Sequence, residues 1–172
     1  MRHIEISVKL LKPMIHSFNR CRDLGDLVVR IWIAQVFFMS GLSKLTDWDT
    51  TLVLFKYVYS TPFMSPVFAA YLGTGVELIF PVLLVLGLGG RLFIFMFLIY
   101  NVVCVLSFHF LLTPAGTSGF DDHVLWGLLL MMLMFHGMGR FSMDYLLHKR
   151  FGHLIHSHYQ KDQKLKNFIN LK

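Results

Sequence analysis

One acid in the apolar part of this sequence could do chemistry: Glu77, the only charge in a run from about Pro66 to Gly89. A charged side chain at the centre of a bilayer costs about 2.5–3.5 kcal/mol on insertion scales, so it needs a partner or it stays neutral. Pro81, four residues on, lacks the N–H that would bond the Glu77 carbonyl. One helix position therefore offers both a carboxyl group and a freed backbone acceptor. That pairing suits a proton, quinol or cation site; the structural alternative is an internal ion pair that fixes helix packing.

Counting depth along each apolar run predicts partners for Glu77. Arg30, Asn101 and His136, one from each of the other runs, fall near the same level. Arg30 could pair with the carboxylate bidentately, Asn101 could donate to it, and His136 could relay a proton near neutral pH. The catalytic candidates are thus Glu77, Arg30, His136 and Asn101. Arg30 has a competing fate, reaching out to phosphate at the membrane surface. Arg30, Phe37 and Lys44 recur every seven residues with Ala34 and Gly41 on the same side, so this face should point inward. Gly73, one turn before Glu77, would allow close approach of a neighbouring helix. Lys44 and Arg91 are the candidate substrate contacts, Lys44 for an anionic group, with an interfacial lysine as its alternative.

The elements that must position these residues follow from composition. Of 172 residues 55% are hydrophobic and only 15% charged, well below the charge of an ordinary soluble domain, so this is a membrane protein. A membrane helix needs about 20 apolar residues. Four windows qualify: about Leu24 to Leu45, Pro66 to Gly89, Arg91 to about Leu112, and about His123 to Gly139. The expected fold is an all-α, integral membrane four-helix bundle formed by residues 24–148. Residues 1–23 and 149–172 are basic tails, amphipathic or flexible.

Those tails carry five Lys/Arg against two acids and six against one, while the stretch between carries five against seven. The bias places both termini in the cytoplasm, with Arg91 in the Gly87–Arg91 turn on the same side. The outer connections 46–65 and 113–122 are acidic or nearly neutral, and Trp48, Tyr57, Tyr59 and Trp126 sit where an aromatic belt belongs. No aromatic-basic RNA motif or zinc finger accompanies the basic charge, so the expected partner is the lipid bilayer and not nucleic acid. No cleavable signal peptide is evident, and the first apolar helix reads as an uncleaved anchor. Ile4, Val8, Leu11, Ile15 and Phe18 repeat at helical spacing, interrupted at Pro13, so one or two surface helices precede it; Leu147, Phe151, Leu154 and Ile155 make a similar stripe at the other end.

Cys21 and Cys104 belong to different levels of the expected topology and form no CxxC, which excludes a self-contained dithiol relay. Met131, Met134 and Met138 share a helix face that could suit Cu(I), but methionine is ordinary filler in membrane helices, and His148, His153, His156 and His158 define no ligand spacing. No metal site is expected.

With these residues placed, the chain resembles the DoxX family of four-helix bacterial inner-membrane proteins over about residues 27–148. The likeness rests on Arg30, on Gly41-Leu42-Ser43-Lys44, on Gly73 and Glu77, on the Gly87–Arg91 turn and on Gly139-Arg140-Phe141-Ser142-Met143-Asp144. A narrower likeness, to DoxX proteins encoded beside secreted copper-binding peptides, rests on Ser40 to Leu45, on Trp48-Asp49-Thr50-Thr51 and on Asp122-His123-Val124-Leu125-Trp126-Gly127. The resemblance implies the bacterial inner membrane and work in quinone-linked redox, thiol or oxidative-stress, or copper-stress complexes. It makes quinone a candidate cofactor, and a redox subunit or a second copy of the chain candidate partners. If the chain is catalytic, it is as a subunit of an oxidoreductase. The alternatives are a non-enzymatic membrane anchor or assembly factor for soluble or secreted partners, and a solute or metal-ion carrier, against which the lack of an inverted repeat counts.

Overall fold

The computed structural model describes residues 2–61 and 63–150, with side chains from Cys21 onward. The described chain is all-helical. In order it comprises α1 (Arg2–Thr46), α2 (Trp48–Tyr57), α3 (Pro66–Leu86), α4 (Gly90–Ser107) and α5 (Thr117–His136). Short 3-10 turns at His109–Leu112 and Pro114–Gly116 join α4 to α5, and residues 143–150 are helical again. Four segments are long and apolar enough to cross a membrane: Cys21–Thr46, Pro66–Leu86, Gly90–Ser107 and Pro114–His136. The bundle has a tail end, where α1 enters and α5 leaves, and a cap end, which carries α2.

The helix boundaries have local causes. Ser65 caps α3 by accepting from Phe68 N at 3.3 Å, and Pro66 occupies the first turn, where its missing N–H costs nothing. Gly87 ends α3 in the left-handed region, and Gly89 and Gly90 also have positive φ, so α3 reverses into α4 within a few residues, as the glycine-rich turn predicts. The predicted third span is shortened because Phe108 leaves helical geometry. The fourth starts earlier than the predicted His123, at Thr117. That shift moves Trp126 from the expected belt into the bundle, where its ring lies 5.4 Å from Phe37 and 4.7 Å from His123. The N-terminal tail is not a separate surface helix: α1 runs unbroken through Pro13 into the first span. The stripe through Phe151, Leu154 and Ile155, and His153, His156 and His158, lie outside the described residues.

The connection 46–65, expected as a loop, contains α2. Asp47 caps it, accepting from Thr50 N at 3.0 Å, and the bonds from Thr50 hold the Asp47 carboxyl below the usual carboxylate range. Trp48, Thr51, Leu52 and Phe55 have helical spacing, and this face packs on Ala69 and Ala70 of α3. The transmembrane core is built from Ile33, Phe37, Leu84, Ile94, Phe97, Leu130 and Leu133, and the opposite faces of α3 and α4 expose large apolar residues, as lipid contact requires.

Candidate functional site

Packing is uneven around the bundle. Contact is concentrated in α1 against α3 and α4 against α5, whereas α3 and α4 approach at few points. Near their connecting turn the gap is filled by aromatic rings: Phe80 lies 5.0 Å from Phe93 and 5.6 Å from Phe97. Toward the cap end it is not filled. A cavity of about 550 Å³ remains, roofed by Phe55, Tyr59, Ser60, Thr61, Phe63 and Met64. A bond from Ser60 N to Ser107 O, 2.8 Å, ties that roof to the end of α4. Leu72 on α3 and Met96, Ile99 and Val103 on α4 line the cavity and are also exposed or half-exposed on the apolar surface, so it opens sideways toward lipid.

Glu77 is on the cavity wall and 6% exposed. Its partner is Lys44, with Nζ at 2.5 Å from Oε2; Nζ also donates to Ser40 Oγ at 2.9 Å. The Tyr100 hydroxyl lies 3.1 Å from both Glu77 Oε1 and the Gly73 carbonyl. Arg30 and Glu77 therefore do not pair, and helix register is the reason. Gly41 is the residue of α1 that faces Glu77: a Cβ there would meet Glu77 Cβ at 2.9 Å. Lys44 is three residues from Gly41, about 5 Å of helix, whereas Arg30 is eleven away, about 16 Å, beyond side-chain reach. Gly41, rather than Gly73, gives the close approach of α1 to α3; Gly73 instead makes room for Phe55 and supplies a carbonyl to Tyr100.

The expected single polar layer thus divides. Asn101, 3% exposed, bonds not to Glu77 but to α5, donating Nδ2 to the His123 carbonyl at 2.9 Å and facing His123 Nδ1 with Oδ1 at 2.8 Å. Gly127 leaves space for it, since a Cβ there would sit 3.2 Å from Asn101 Nδ2. His123 lines the cavity beside Phe37 and Trp126. Cys104 also lines the cavity, whereas Cys21 is exposed.

Arg30 and His136 belong to the tail end. Arg30 is 1% exposed and does not reach the membrane surface. Its Nη2 donates to the Phe141 carbonyl at 2.9 Å and its Nε to the Asp26 carbonyl at 3.4 Å. His136 Nδ1 lies 3.1 Å from Asp26 Oδ1, and Arg140 Nε 3.8 Å from Asp23 Oδ2. Asp144 N donates to the Gly87 carbonyl, and Ser142 Oγ accepts from Tyr145 N at the start of the last helix. Arg91 is exposed at this end, 3.5 Å from the Phe135 carbonyl, and takes no part in the cavity. The inward face through Arg30, Ala34, Phe37 and Gly41 is buried as its heptad spacing predicts.

These residues coincide with the sequence motifs that run through the first three spans, and the family model of DoxX matches residues 25–110, half of the chain. The chain belongs to the DoxX family. No curated protein and no solved structure matches it. The DoxX match covers α1 from Gly25 through α4, and so includes Arg30, Lys44, Glu77, Tyr100 and Asn101, while His123 and the tail-end segment 139–144 lie beyond it.

The sequence expectation omits Asp26, Tyr100 and His123. Each has a signal. Asp26 precedes Arg30 by one helical turn; Tyr100 adjoins Asn101 on α4; His123 is the one basic group following the paired acids Asp121 and Asp122 at the start of α5. Among the described residues, no group of three or more His, Cys, Asp or Glu is arranged to hold a metal ion. Met138 is buried and Met131 exposed, so the methionine face is shared between core and surface.

Proposed function

We propose that this DoxX protein is a membrane subunit that holds a quinone or quinol in the cavity between α3 and α4, with Glu77 as its proton-handling group and Lys44 as the ion-pair partner of that carboxyl. One observation carries the reading: an apolar chamber open to lipid has the Lys44–Glu77–Tyr100 cluster on its inner wall. A lipid-soluble ring enters such a chamber from the bilayer without crossing water, and its oxygen functions meet hydrogen-bonding groups only at the wall. Lys44 has a further N–H beyond those given to Ser40 and Glu77, able to donate to a ligand carbonyl. The electron-transfer group then resides on a partner subunit. On this reading the tail end faces the cytoplasm of a bacterial inner membrane, which the Lys/Arg excess of both tails supports.

Decylubiquinone titrated into the protein in lipid nanodiscs, read by quenching of Trp126 in a Trp32→Phe, Trp48→Phe background, tests this. Saturable quenching that is lost in the Lys44→Met, Glu77→Met double variant is expected; quenching that does not saturate, or is unchanged in a folded double variant, rejects the proposal.

A second reading, a non-enzymatic anchor or assembly subunit, is favoured by the completeness of the Lys44–Glu77 pair, whose charged groups already bond within the protein. On that reading Glu77→Gln lowers stability only.

A further inference from the structure

His123 is not needed by the Lys44–Glu77 cluster, yet it lines the same cavity from the opposite hairpin. The tautomer of its neutral ring is fixed by its neighbour. The Asn101 amide cannot be reversed, because Nδ2 faces the His123 carbonyl, which can only accept. Oδ1 therefore faces Nδ1, and Oδ1 is itself only an acceptor. The proton must be on Nδ1. In the neutral imidazole this leaves Nε2 as a bare acceptor, and among the described residues no hydrogen bond reaches it. The arrangement is held in place: Asn101 is buried, and the imidazole packs edge-on against Trp126, with Phe37 next to both, all three on the cavity wall.

We propose that His123 is a second ligand contact of the cavity, accepting a hydrogen bond at Nε2 from a ring hydroxyl, with Asn101 as the positioning residue that holds it in the accepting tautomer. The cavity then selects the hydroxyl-bearing, reduced form of its ring ligand over forms that lack the donor. This rests on the quinone reading and deepens it, since that reading requires only a ring ligand at Glu77. An unfilled acceptor in a desolvated wall penalises any ligand that cannot donate to it, by about tenfold for one net hydrogen bond.

The test compares decylubiquinol with its bis-methyl ether, which keeps the ring and tail but has no O–H, in nanodiscs under anaerobic conditions. Wild-type protein is expected to prefer the diol, and His123→Phe, which retains an aromatic ring against Trp126 and Phe37, to lose about tenfold of that preference while still binding both compounds. Because a ring substitution could disturb folding, the wild-type protein with 15N-histidine supplies an independent reading. The Nε2 resonance of His123 should show an unprotonated nitrogen and move on adding the diol but not the ether. An unchanged preference in folded His123→Phe, or an Nε2 signal indifferent to the diol, overturns the inference and leaves the quinone reading standing. If neither compound binds wild type, both fall together.

Discussion

The two ends of this bundle hold similar chemical inventories and use them differently. At the tail end Asp23, Asp26, Arg30, His136 and Arg140 knit α1 to the segment leaving α5, Arg30 through backbone carbonyls and the others through the Asp26–His136 and Asp23–Arg140 pairs. The Arg30 guanidinium is tightly packed against the α3–α4 turn: a Cβ on Gly87 would come within 2.7 Å of Nη1. At the cap end Lys44, Glu77, Tyr100 and His123 bond side chain to side chain or to a neighbouring helix and border a chamber. A buried charge thus marks a function only where there is room for something to meet it. Arg30, chemically the most conspicuous group of the first helix, is a clamp, and the less conspicuous Lys44 is at the candidate site.

This contrast predicts opposite results from equivalent substitutions. The largest effect on stability falls on Arg30→Met, which removes the charge-assisted bonds to the Phe141 and Asp26 carbonyls at a buried position: about 3–5 kcal/mol. Thermal unfolding in detergent measures it, and the surviving folded fraction should still bind quinone. Lys44→Met with Glu77→Met, which removes a buried pair together, should shift stability by no more than about 1–2 kcal/mol and abolish binding. Equal destabilisation by both would erase the distinction between the ends. Next comes Gly87→Ala, which adds a Cβ at φ +66 and 2.5 Å from Ser142 Cβ. Strain and overlap together should cost about 2–4 kcal/mol and detach the 139–144 segment first, seen as faster amide exchange there. Gly41→Ala, at the cap end, separates α1 from α3 by overlap with Glu77 and Leu78 at a cost of about 1–3 kcal/mol, and should weaken ligand binding where Gly87→Ala does not.

The spans were legible because twenty-odd apolar residues have few other fates, and the Gly87–Arg91 reversal because three positive-φ glycines leave little choice. The inward face of α1 was legible from its seven-residue repeat. What depth counting could not supply was register. Four helices of unequal length and offset each begin at a different level, and a shift of a few residues moves a side chain farther than a hydrogen bond spans. Hence Glu77 stands out in the sequence but its partner does not, and Asn101 is found at the right depth with the wrong neighbour. The cavity was invisible for a related reason, since it arises where α3 and α4 fail to meet.

The smallest predicted effect concerns α2, which roofs the chamber. The folded pKa of Asp47 is depressed by its bonds from Thr50, so its cap is intact above the ordinary carboxylate value, about 4, and is lost as pH falls through the folded value. Exchange of the Thr50 amide should quicken in acid, and Asp47→Asn, which keeps an uncharged accepting oxygen, should remove that pH dependence while Asp47→Ala is fast throughout. The tail end should show no such response at Arg30.

Photolabelling with an azidoquinone in native membranes, followed by peptide mapping, addresses the chamber most directly. Adducts concentrated on its lining residues of α1, α3 and α4, such as Val36, Val76 and Met96, displaced by excess decylubiquinol and missing from the folded Lys44→Met, Glu77→Met protein, are the expected result. Adducts spread over the lipid-facing surface, indifferent to competitor and to the double substitution, would contradict the assignment of a ligand to this cavity.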